Sequence, residues 1–120
     1  MKILIVDDSK AMRLIVMRAL RQAGFGDHTL VEATDGAEAL AMIQGTPPDL
    51  VLSDWNMPKM SGIDLLRSVT SQGLKVKFGF VTSEGTAEIK QLAMEAGALF
   101  IITKPFSPDV FRETLAAFAA

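Results

Sequence analysis

The sequence has no cysteine, which excludes disulfides, thiol catalysis and cysteine-ligated zinc. It has one histidine, His28, so a histidine-rich metal site is excluded too, and His28 itself reads as a loop or strand-edge residue. There is no dense basic block, and the formal net charge is -2. Direct nucleic-acid binding is therefore not expected. No apolar run approaches the length needed to cross a bilayer, and in MKILIVDDS acid follows the apolar run at once, unlike a signal peptide. The segment DDSKAMR lacks the glycines of a dinucleotide or P-loop site, which argues against a nucleotide-binding module. The cysteine-free composition fits a cytoplasmic protein without membrane insertion.

What is present is a globular composition. Hydrophobic residues make up 49% of 120 residues, enough for one domain of ordinary size, expected to span residues 1–120. Apolar runs of strand length alternate with segments of helical period. Residues 3–6, ILIV, read apolar on both faces, as in a central parallel strand. Met12, Ile15, Val16, Ala19 and Leu20 then fall at helical spacing, with Gly24 and Gly26 at the end. Further strands are expected at residues 29–33, 50–53, 76–81 and 99–102. Gly79 inside the fourth of these runs reads as a place of close approach. Helices are expected at residues 37–44, after Ser61, at 86–96 with Gly97 as cap, and after Ser107-Pro108. Ser61 with Asp64 resembles a capping box, and Val110, Phe111, Leu115 and Phe118 form the last apolar stripe.

Five strand–helix units with short connections predict an α/β fold: a doubly wound parallel sheet with helices on both faces. Ligands of such sheets sit beyond the carboxyl ends of the strands. Asp7 and Asp8 follow the first strand, Asp54 the third, Thr82 and Ser83 the fourth, and Lys104 the fifth. Asp35 follows the outer second strand and is a weaker candidate. Taken singly, each is an ordinary turn residue. Together they put three carboxylates, a hydroxyl and a lysine on one edge.

Like charges so placed repel, and a divalent cation relieves the repulsion. Oxygen ligands without nitrogen or sulfur favour Mg2+, with Mn2+ as the alternative. A carboxylate can attack phosphorus and form an acyl phosphate, while lysine and a hydroxyl hold the remaining oxygens. Asp54 is the best nucleophile because it projects alone from a central strand; the pair Asp7–Asp8 suits the metal. A competing reading is a magnesium-dependent phosphatase with an aspartate nucleophile. That chemistry wants a second acid two residues on, where this chain has Asn56.

The segments ILIVDDS, PDLVLSDWNMPKMSG, VTSE and AGALFIITKPF resemble the receiver domain of bacterial two-component response regulators, and most closely the stand-alone chemotaxis type. The resemblance covers essentially the whole chain. It implies a flavodoxin-like, five-stranded (βα)5 sheet of order 2-1-3-4-5. It implies a signalling switch in which Asp54 accepts a phosphoryl group from a histidine kinase or histidine phosphotransfer protein. Asp7, Asp8, Asp54 and the backbone carbonyl of Asn56 would then hold Mg2+, with Thr82 and Lys104 on the phosphoryl oxygens. Asn56 and Glu84 match positions that tune the lifetime of the phosphorylated state. The domain would catalyse only its own phosphorylation and dephosphorylation, act as a monomer or weak dimer, and present an output face on helix 4, strand 5 and helix 5. Family members often carry an aromatic switch residue where this chain has Ile101; Phe100 beside it should point to the other face. A receiver-like interaction domain that takes no phosphate is the remaining alternative.

Overall fold

In the first strand, alternate side chains enter different cores. Leu4 and Val6 pack on one side of the sheet; Ile3 and Ile5 pack on the other, and all four are buried. This two-sided burial makes it a central strand. A computed structural model describes residues 1–118; the last two residues of the expected domain, 119 and 120, lie outside the described residues. The strands are β1 (Lys2–Val6), β2 (Thr29–Ala33), β3 (Leu50–Ser53), β4 (Lys77–Thr82) and β5 (Phe100–Thr103). The helices are α1 (Lys10–Leu20), α2 (Gly36–Gly45), α3 (Gly62–Ser71), α4 (Ala87–Ala96) and α5 (Pro108–Ala116).

All strand pairs are parallel, in the order β2-β1-β3-β4-β5. The strand order expected from the resemblance is the one found. Chain order reverses between β1 and β3, so the crevice beyond their carboxyl ends is the natural binding place. One core lies under α2, α3 and α4 and includes Ile43, Leu65, Val69, Phe78 and Phe80. The other lies under α1 and α5 and includes Val16, Leu20, Phe100, Phe111 and Leu115.

Helix starts follow local chemistry. Ser9, Asp35, Ser61 and Thr86 each accept a backbone N–H of the first turn. Asp64 does not close a full capping box, because its carboxylate faces Arg67 instead. Ser107 occupies the cap position of α5 but its hydroxyl makes no capping bond; the Val110 N–H is taken by the Ser107 carbonyl. Helix α1 continues into a π-helical turn, Arg21–Phe25, in which Gly24 has φ of 101°.

Some of the expected inward residues face solvent. Ile15 is 48% exposed, and Val110 is also exposed. On α1 the buried row is Arg13, Val16, Met17 and Leu20, so Ile15 falls outside it. Strands β4 and β5 each start one residue later than expected: β4 begins where Lys77 pairs with Leu50 of β3, and β5 where Phe100 pairs with Gly79. The Phe100 ring lies where a side chain at Gly79 would go. Gly79→Ala should therefore overpack this core and lower stability by about 1–3 kcal/mol, measured as a lower urea midpoint; an unchanged midpoint would show that the ring is free to move aside.

Candidate functional site

The ends of β1 and β3 build one acidic crevice. The Asp54 N–H donates to the Val6 carbonyl at 2.9 Å, and the Asp7 N–H to the Ala33 carbonyl at 3.2 Å. The sheet thus holds both residues by backbone bonds one step past the regular strands. Buried Ser53 donates its hydroxyl to the Asp54 carbonyl at 2.9 Å, which satisfies a polar group that would be costly to bury alone. The buried Gly62 makes room for α3 here, because a Cβ at that position would overlap the Asp54 carbonyl oxygen.

Asp7, Asp8 and Asp54 can each offer a carboxylate oxygen within 4.8 Å of the others. Asp7 is buried and Asp8 exposed. Both Asp7 oxygens are engaged: Oδ1 accepts the Ser9 N–H at 2.9 Å and Oδ2 the Lys104 ammonium at 3.2 Å. Asp54 Oδ1 accepts the Trp55 N–H at 2.7 Å, whereas Oδ2 has only a longer ion pair to Lys104, at 3.5 Å. One lysine against three carboxylates leaves the charge that a single divalent cation would balance. The donor set is oxygen only, as a hard cation requires, so these residues fit a metal of that kind.

Lys104 and Thr82 are tied together by a backbone bond, Lys104 N–H to the Thr82 carbonyl at 2.9 Å. Thr82 is buried, and its hydroxyl accepts the Glu84 N–H at 3.2 Å. That leaves its own O–H free to act as a donor. Asn56, in the loop after β3, donates its side-chain amide to Glu84 at 3.1 Å. The two loops that flank the crevice are joined there. Ile101 packs on the α4 side of β5, and Phe100 on the α1 and α5 side.

Asp35 stands apart from the cluster. It caps α2 by accepting the Glu38 N–H at 2.8 Å, and Lys59 lies 3.7 Å away. The Glu38 N–H, aided by Lys59, holds the Asp35 carboxyl below its ordinary value of 3.8. His28 is remote from the crevice, where its Nδ1 meets the N-terminal amine at 2.7 Å.

Arg13 belongs to none of the sequence motifs yet bonds directly to the acidic edge. Its Nη1 donates to the Asp7 carbonyl at 2.7 Å and its Nε to Glu32 at 2.9 Å. Its signal in the sequence is an arginine five residues after Asp8, on a row of α1 that is otherwise apolar.

The response regulator receiver domain family matches residues 3–116. The chain belongs to that family. This receiver domain is 42% identical over 117 residues to the chemotaxis protein CheY of Pseudomonas aeruginosa, covering 96% of this chain and 93% of that one. It is 38% identical over 118 residues to CheY1 of Helicobacter pylori, covering 96% and 94%. The solved structure of Vibrio cholerae CheY4 superimposes with a TM-score of 0.84 at 36% identity, covering 97% of this chain and 96% of that one. The receiver domain is thus homologous to the CheY response regulators, and its role is that of a phosphorylation-activated signalling switch. Among the described residues, no helix is long and apolar enough to cross a membrane.

Trp55 is the only tryptophan, is buried against Phe80, and donates its backbone N–H to Asp54 Oδ1. Titration with Mg2+ or Mn2+ should give a saturable change in its fluorescence. Asp8→Asn should weaken the apparent affinity about tenfold or more, on the order of 1.4 kcal/mol; a wild type without a saturable response would contradict the metal assignment.

Proposed function

We propose that Asp54 is the phosphoacceptor of a signalling relay, charged from a phosphohistidine on a histidine kinase or phosphotransfer protein. One carboxylate oxygen of Asp54 forms a bond to phosphorus while the phosphorus–nitrogen bond to the donor imidazole breaks. The electron pair of that bond stays on the imidazole nitrogen. The product is an acyl phosphate on Asp54, discharged when water attacks phosphorus and the carboxylate leaves. The domain catalyses these two steps on itself and turns over no separate substrate.

The observation that carries this reading is the difference between the carboxylates. Asp7 has both oxygens in hydrogen bonds, whereas Asp54 keeps Oδ2 with only the longer contact to Lys104. The Trp55 N–H on Oδ1 fixes the carboxylate plane and leaves Oδ2 to react. The Lys104 ammonium is placed to stabilise charge on the incoming phosphoryl oxygens, and the Thr82 hydroxyl has a proton to donate to them. Asp7, Asp8, Asp54 and the Asn56 backbone carbonyl would hold Mg2+, or Mn2+ in its place. The ion would supply charge neutralisation between the carboxylates and the phosphoryl group.

The Asn56–Glu84 hydrogen bond spans the mouth of the crevice, which suits both residues to tuning the lifetime of the acyl phosphate by limiting attack by water. The same bond engages Asn56 as an amide where a phosphatase would need an acid. With Ile101 in place of an aromatic, the switch runs through Thr82 and the loops, towards an output face on α4, β5 and α5. Exposed Met94 and Val110 give that face apolar contact surface for a partner protein. That the relatives are named as chemotaxis proteins supports a partner in chemotaxis, and the domain, taken as one unit over residues 1–120, would work in the cytoplasm.

Incubation with phosphoramidate or acetyl phosphate and Mg2+ should raise the intact mass by one phosphoryl group, and Asp54→Asn should abolish the adduct. An unchanged mass of folded wild-type protein, or an undiminished adduct in Asp54→Asn, would overturn the assignment.

A further inference from the structure

Helix α1 turns an arginine inward at the place where its neighbours on the same row are apolar. Arg13, Val16, Met17 and Leu20 form that row, and all are buried. Burying a guanidinium is costly unless its donors are matched. Here two donors are matched on different elements. Nε meets Glu32 Oε1 on β2 at 2.9 Å, and Nη1 meets the Asp7 carbonyl at 2.7 Å. Regular pairing of β1 with β2 stops at Val6 and Ala33, so the Asp7 carbonyl is the first acceptor on that side beyond the ladder. Arg13 supplies its donor.

We propose that Arg13 is a positioning residue for the acidic pair, and that Glu32 positions Arg13. The carbonyl that Arg13 holds belongs to the peptide joining Asp7 to Asp8. Fixing that peptide plane fixes where both carboxylates leave the chain. The Asp7 side chain is held separately, by the Ser9 N–H and Lys104, whereas Asp8 is exposed and depends on the backbone for its direction. Glu32 balances the guanidinium charge, so Arg13 does not compete with a cation for the carboxylates. The flat guanidinium is suited to this because it makes two bonds in fixed relative directions, whereas a lysine ammonium reaching the same carbonyl cannot also keep the Glu32 contact through Nε.

This inference rests on the reading of Asp7 and Asp8 as cation ligands. Its test combines cation affinity, followed by Trp55 fluorescence, with phosphorylation by phosphoramidate at saturating Mg2+ and with urea denaturation. Arg13→Met keeps apolar bulk and loses both bonds. It should weaken Mn2+ and Mg2+ binding about 10- to 100-fold, the usual effect of losing a group that orients a metal ligand. Arg13→Lys should recover part of that loss, and Glu32→Gln, which keeps an acceptor, should bind nearly as the wild type does. If Arg13→Met does not fold, Arg13→Lys and Glu32→Ala carry the test, each expected to bind more weakly than wild type. A purely structural role would lower the urea midpoint and leave cation affinity and phosphorylation rate of the folded variants unchanged; that outcome overturns the proposal. Failure of the phosphoacceptor reading would look different: wild-type protein would bind the cation, with Arg13 effects intact, and gain no phosphoryl group.

Discussion

Everything at the working edge depends on one imbalance of charge: Asp7, Asp8 and Asp54 converge, and among the described residues Lys104 alone is set against them. A chain without supporting structure would spread these carboxylates apart. The sheet prevents that. β1 and β3 are adjacent and parallel, with buried side chains on both faces, so their carboxyl ends cannot separate without opening two cores. Lys104 is brought to the same place by the last parallel pair, through its backbone bond to Thr82. Burial of side chains such as Leu4, Ile5, Val51 and Leu52 contributes about 1.5–3 kcal/mol each and offsets the repulsion it holds in place.

The edge divides into parts that are fixed and parts that can respond. Asp7 is fixed at its N–H, its carbonyl and both carboxylate oxygens. Thr82 and Ser53 are fully buried. By contrast, Asn56 and Glu84 meet in a hydrogen bond between side chains near solvent, and the Thr82 hydroxyl depends on the Glu84 N–H. A new negative group at Asp54 would act on Lys104 and Thr82 first, and through them on β4, β5 and the loop before α4. Two forms biased by one charge are sufficient for a switch.

Most of this architecture is legible in the sequence because each strand is a short apolar run and each helix has its own cap. β2 and β3 fall within the expected residues, and Gly79 marks the close approach of Phe100. The site is legible because every strand end in an α/β sheet shares one edge, so Asp54 and Lys104 can be placed together from positions 50 residues apart in the chain. What periodicity does not reveal is how polar groups pair. Ile15 fits a helical stripe that Arg13 in fact occupies, since a buried arginine needs partners on β1 and β2 that no local pattern announces. The Ser107 hydroxyl likewise looks like a cap, but a backbone carbonyl makes the bond first.

A crystal structure with Mg2+ and beryllium fluoride, which stands in for the phosphoryl group, tests the central claim most directly. The expected result is beryllium bonded to an Asp54 carboxylate oxygen, fluorides contacted by the Lys104 ammonium and the Thr82 hydroxyl, and the cation held by Asp7 and Asp8. Beryllium fluoride bound at another carboxylate, or a cation elsewhere with Asp54 left free, would contradict it.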